Sequence, residues 1–132
     1  MEEKYVLPYP DLDEVDEKLD YIKSLGCDGI WFSPLYPSPG VDCGYDISNY
    51  LDIAEEFGGM DAFKKVLDGA HQRGMKVIMD LVVNHTSTEH EWFKKAINGD
   101  KKYKDFYIFK EGYFLFFCFS LYSFLDNFAS SL

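Results

Sequence analysis

Basic residues are scarce in this sequence. Thirteen Lys and Arg stand against 23 Asp and Glu, which leaves a formal net charge of −10 over 132 residues. Nucleic acids and anionic membranes need a positive face, so neither is expected as a partner. No specific protein partner is indicated, and the charge does not bear on neutral ligands. Cysteine is also sparse. Cys27, Cys43 and Cys118 are odd in number and share no metal-like spacing. They read as reduced thiols of a cytoplasmic protein, with no metal and no cofactor expected. The opening stretch "MEEKYVLPYP" has no apolar core, so no secretory leader is expected there. The aromatic and aliphatic stretch "YFLFFCFSLYSFL", residues 113–125, is short for a membrane. As a helix it would reach about 20 Å against a hydrocarbon core of ~30 Å.

What is present suits one globular domain or a piece of a larger one, since 47% of the residues are hydrophobic. Asp11 followed by Glu14 has the spacing of a capping box. Val15, Leu19, Ile22 and Leu25 then recur at helical spacing, and Gly26 is placed to end that helix. An apolar run at Gly29–Ser33, closed by Pro34, predicts a strand. The next stretch, "PLYPSPGVDCGYDISNY", residues 34–50, holds too much Pro, Gly and Asp for regular structure. A loop of that length in a compact domain is usually functional. A second helix is predicted from about Asp61 to Arg73, with Phe63, Val66, Leu67 and Ala70 on one face. "KVIMDLVV", residues 76–83, predicts a second strand, and its unbroken apolarity suits a parallel strand buried on both faces.

That order is α/β: a βαβ unit with a helix before it. The second strand runs into Asn84, His85, Thr86 and His90, groups that are costly to bury without partners. In parallel α/β folds the C-terminal ends of the strands carry the site. The polar cluster is therefore expected to form the floor of a pocket, together with the 34–50 loop.

Three stretches carry a family resemblance: "GCDGIWFSPLYPSP", "DCGYDISNYLDIAEEFGGMDAFKKVLDGAHQRGMKVIMDLVVNHTSTEHEWFKKA" and "YKDFYIFK". Together they resemble the α-amylase family of glycoside hydrolases, and most of all its oligo-1,6-glucosidases and α-glucosidases. The resemblance implies a partial (β/α)8 TIM barrel, with residues 29–33 as its second strand and 76–82 as its third. The implied division is a divergent N-terminus at 1–11, partial barrel at 12–85, and the start of the inserted small domain at 86–110. Residues 111–132 form an unmatched hydrophobic tail.

The resemblance also assigns substrate-binding roles. Asp80 and His85 fall in the family's Asp-x-x-x-Asn-His region, where the His bonds the glucose ring and the Asp supports that pocket. Asp42 and Tyr45 match the loop after the second strand, where the Asp holds sugar hydroxyls and the Tyr stacks on the sugar face. The residue types suit the task, because carboxylates and an imidazole read a hydroxyl rim and an aromatic ring covers a C–H face. Each has a plainer reading: Asp80 as a structural carboxylate, His85 as a satisfied core or cap residue, Asp42 as a turn former, Tyr45 as packing. Asn84, Asp46 and His90 read as structural, and His71 as solvated.

Retaining glycosidases need two carboxylates about 5 Å apart. In the family both come from later strands, and no stretch here matches either. The metal loop that relatives carry near the first strand is missing as well, so no metal is carried over. The resemblance thus implies a fragment of a retaining α-glucosidase acting on short isomalto- or malto-oligosaccharides, inactive by itself. A non-catalytic sugar-binding or transporter-associated relative is the alternative, as is a truncated remnant without function.

Overall fold

A computed structural model describes residues 11–109 of the chain. The aromatic tail at 111–132, and the sequence-based boundaries that fall in it, lie outside the described residues. The described chain divides into two compact units, each assembled from two separated stretches. The first takes residues 11–35 and 53–79; the second takes 36–52 and 80–109. The contact pattern therefore groups the 36–52 loop with residues 80–109.

In the first unit, helix α1 spans Leu12–Ser24. Asp11 caps it, accepting a hydrogen bond from the Glu14 N–H at 2.9 Å. At the far end Gly26 takes a positive φ of 85° and its N–H returns to Lys23 O at 3.0 Å. Strand β1, Gly29–Phe32, follows. A single 3-10 turn at Glu55–Phe57 leads into helix α2, Gly59–Gln72, and then strand β2, Lys76–Met79. The strands pair in parallel, with Ile30 opposite Val77 and Phe32 opposite Met79.

The helices lie over one face of this two-stranded sheet. Val15, Leu19 and Ile22 of α1 meet Ala70, Met75, Ile30 and Val77. Leu12, Val66 and Phe63 pack with Phe32, Met79, Leu35 and Ile53. The helix–helix seam is tight at Gly69, where an added Cβ would lie 2.7 Å from Leu19 Cδ1. Ion pairs from Lys65 to Asp13 and Arg73 to Asp20 rim the seam. Both are solvent-exposed and contribute little to stability.

Two expectations fail in the first unit. The second strand stops at Met79 rather than Val83, and it is covered on one face only. Its ladder partner β1 ends at Phe32, shortly before Pro34, which has no N–H to give. No third strand pairs with β2 among the described residues, so positions 80–83 have no ladder partner. On the uncovered face Trp31 is 59% exposed and Ile78 is 55% exposed.

The second unit is mostly loop and short helix, held by an aromatic core. Ile47, Tyr50, Val82, Phe93, Ala96, Phe106 and Tyr107 are buried together, with Tyr36, Tyr45 and Trp92 packed against them. Helix α3 spans Glu91–Ile97 and α4 spans Lys101–Lys104. The loop is tied down by backbone: Ser48 N–H donates to Pro37 O at 2.8 Å, and Ser87 N–H to Ile47 O at 2.9 Å. Val82 thus finds its burial in this core rather than in a sheet.

Candidate functional site

All four sequence-derived site residues, Asp42, Tyr45, Asp80 and His85, fall in the second unit. The loop places the first two through a tight turn. Tyr45 N–H donates to Asp42 O at 2.9 Å, and the two central residues, Cys43 and Gly44, have φ of 52° and 92°. Both central values are positive, as in the mirror-image type I′ turn. Gly44 adopts this freely, whereas Cys43 does so at a steric cost.

A buried carboxylate organises the loop behind that turn. Asp46 is 8% exposed. Its Oδ1 accepts from the Ser38 hydroxyl at 2.7 Å and the Asp42 N–H at 3.0 Å; its Oδ2 accepts from the Val41 N–H at 3.0 Å. Burial alone would raise its pKa, but these hydrogen bonds outweigh burial and hold the carboxyl below its ordinary range. From the sequence Asp46 is expected to be a structural residue. Its place three residues before Asn49, amid Pro and Gly, gave no sign that it would gather three donors.

Asp80 follows β2 directly and lies beside two phenols. The Tyr36 hydroxyl donates to Asp80 O at 3.2 Å. Burial and the Asp80 charge both raise the Tyr36 pKa. The Tyr45 pKa is raised too, by desolvation first, then by the neighbouring Asp80 carboxylate and the charge of Asp42. Tyr45 therefore stands near both carboxylates: Asp42 through the turn, Asp80 through the charge that its phenol feels. The result is a half-buried phenol beside two acids, at the end of a parallel strand.

His85 is fixed from two sides. The Tyr50 hydroxyl is 2.7 Å from His85 O and 2.6 Å from Val82 O, so its proton anchors the backbone on either side of Asn84. The imidazole Nδ1 lies 2.6 Å from the Asn84 side-chain nitrogen. Tyr36, Tyr50 and Asn84 were not singled out as site residues by sequence reasoning. Tyr36 and Tyr50 sit in the loop now grouped with residues 80–109, a pairing with no local signal.

His90 behaves as the plain reading had it. It is 4% exposed and caps α3, its Nδ1 accepting from the Trp92 N–H at 3.0 Å. Burial drives its pKa down to about 4, against a smaller upward pull from Glu91. Among the described residues no three His, Cys, Asp or Glu side chains are grouped to hold a metal ion. No described helix is long and apolar enough to cross a membrane.

Two carboxylates near a tyrosine, followed by Asn-His after a parallel strand, can grip a polyol rim and one flat face of a ring. The chain belongs to the α-amylase family of glycoside hydrolases: residues 8–115 match the family's model, described as the alpha amylase catalytic domain. Among its members the chain is 51% identical over 102 residues to the salivary alpha-glucosidase of Aedes aegypti. It is 50% identical over 103 residues to the probable oligo-1,6-glucosidase 2 of Bacillus subtilis. Each match takes in 77% of this chain and 18% of the relative, so the chain spans under a fifth of these curated relatives. The crystal structure of Bacillus licheniformis trehalose-6-phosphate hydrolase superposes with a TM-score of 0.76 at 55% identity. That superposition covers 83% of this chain and 20% of the other. The fold class expected from the sequence holds at that level: an α/β piece similar to part of a larger catalytic domain.

Proposed function

We propose that this chain is the glucose-gripping part of an α-glucosidase of the oligo-1,6-glucosidase type. The observation that carries the reading is the Tyr45 phenol, set by its turn beside Asp42 and close enough to Asp80 for that charge to raise its pKa, in a chain of this family. Asp42 and Asp80 would accept from sugar hydroxyls, bonds strengthened by their charge. Tyr45 would cover the C–H face, and His85 would bond the ring beside the scissile linkage. Strands β1 and β2 would stand as the second and third of a (β/α)8 barrel, with residues 86–110 opening an inserted domain. The bond cleaved would be the α-glucosidic linkage of a short isomalto- or malto-oligosaccharide in the cytoplasm, with retention of configuration. Retention takes a nucleophile and an acid/base about 5 Å apart, and both would come from strands beyond these.

Two measurements on the full chain test this. Saturation-transfer NMR with methyl α-D-glucoside is expected to show sugar contact that falls at least several-fold in Tyr45→Ala and in Asp42→Asn. Contact unchanged in both variants would defeat the assignment. Incubation with p-nitrophenyl α-D-glucoside is expected to release no nitrophenol, because the grip has no nucleophile. Turnover abolished by His85→Ala would show instead that the chain carries its own catalytic groups.

A further inference from the structure

The contact between Asn84 and His85 sets which imidazole nitrogen holds the proton. Asn84 Nδ2 lies 2.6 Å from His85 Nδ1. An amide NH2 donates and cannot accept, so Nδ1 must be the acceptor. A neutral imidazole has one proton, which is then confined to Nε2. The backbone under this pair is held as well, because the Tyr50 hydroxyl lies within hydrogen-bond distance of the carbonyls of Val82 and His85. Asn84 is exposed and makes no part of the aromatic core, so core packing does not account for the contact.

We propose that Asn84 is a positioning residue that locks His85 in the Nε2–H form and so makes its imidazole a hydrogen-bond donor to the sugar. The value of that lock for binding rests on the sugar pocket proposed above. A donor at Nε2 suits a hydroxyl oxygen that accepts, whereas the opposite tautomer would offer an acceptor at the same place. Left to itself, a free histidine exchanges between the two forms, and part of the population presents the wrong one. The lock removes that fraction.

The test is long-range 1H–15N NMR on the full chain at about pH 8.5, two units above the ordinary imidazole pKa. His90 is an internal control, since its Nδ1 accepts from the Trp92 N–H and owes nothing to Asn84. In the unaltered chain His85 is expected to show a proton on Nε2 and none on Nδ1. In Asn84→Asp the new carboxylate can only accept, so the His85 proton is expected to move to Nδ1 while His90 keeps its pattern. A protonated Nδ1 in the unaltered chain overturns the proposal, and so does a His85 pattern untouched by Asn84→Asp. Methyl α-D-glucoside affinity is expected to fall about tenfold in Asn84→Asp, with the Tyr45→Ala chain as the reference for a lost pocket. If the tautomer inverts while no chain binds the glucoside, the pocket reading fails and the tautomer lock stands. If the glucoside binds equally well to both tautomers, the proposed donor role is overturned.

Discussion

The N–H of Asp42 donates to the buried carboxylate of Asp46 at 3.0 Å, so the exposed acid is aimed by a buried one four residues later. Asp42 itself has no cover to hold it. What keeps its turn in place is the set of three donors converging on Asp46.

Asp46→Ala leaves the Val41 and Asp42 amides and the Ser38 hydroxyl without their acceptor. Each loss of this kind costs about 1–3 kcal/mol where water cannot replace the partner. Amide exchange at Val41 and Asp42 is expected to accelerate at least tenfold, while exchange in α2 stays as it was. The same contribution responds to acid. The folded-state pKa of Asp46 lies below the ordinary 3.8, so the stabilisation is present above pH 3.8 and is lost as pH falls through the folded value. Amide exchange in this loop followed down from pH 5 checks the window. No change below pH 3.8 would count against it.

His90 makes the second unit acid-sensitive at a higher pH. Its folded pKa of about 4 lies below the ordinary 6.5, so the unfolded chain takes up a proton first. Stability is full above pH 6.5 and declines as pH falls toward 4, by up to about 1.4 kcal/mol per pH unit. The near-UV signal of the Trp92 cluster is expected to weaken across that interval. His90→Asn keeps a capping acceptor for the Trp92 N–H but removes the titration, and it should flatten the profile.

Gly69 sets how closely α1 and α2 approach. Gly69→Ala places a methyl 2.7 Å from Leu19 Cδ1 and 2.8 Å from Asp16 Oδ1, and Leu19 is fully buried. Overpacking of this kind costs about 1–3 kcal/mol, more than the helix propensity that Ala would add. Chemical denaturation followed at α-helical wavelengths measures it. A stabilised Gly69→Ala chain would contradict the described seam.

The uncovered sheet face is the aggregation hazard. Trp31 and Ile78 stand side by side across the ladder, 59% and 55% exposed. Both outer edges of the two-stranded sheet also lack a neighbouring strand among the described residues, which invites pairing with other chains. Ile78→Lys is expected to raise the monomer fraction in size-exclusion chromatography and lower hydrophobic-dye binding, with the helical signal kept. A monodisperse unaltered chain that binds no dye would count against this picture.

Local chemistry was legible in the sequence where it acts locally. Asp11, Gly26 and the helical spacing between them marked α1 closely, because capping and periodicity depend on neighbours in the chain. The end of β2 was not legible. Leu81, Val82 and Val83 continue the apolar run, and apolarity reports burial without saying whether a strand or an aromatic cluster provides it. Helices α3 and α4 are short and amid Lys, Asp and Gly, so their periodicity is too brief to register. The four candidate residues came from family resemblance. Their supports Asp46, Tyr36, Tyr50 and Asn84 came from contacts, three of which bring the 36–52 loop against residues 80–85.

Because each unit is stitched from two stretches, the order of synthesis matters. The first unit cannot complete its ladder until Met79 has been made, and the second cannot bury Tyr50 until Phe93, Phe106 and Tyr107 have followed. A nascent chain paused near residue 75 would hold α1 and β1 with no strand to pair and an aromatic loop with no core to enter. Closing such long loops is entropically slow. During that interval the strand face of β1 and the aromatic side chains of the loop have no partner surface to cover them.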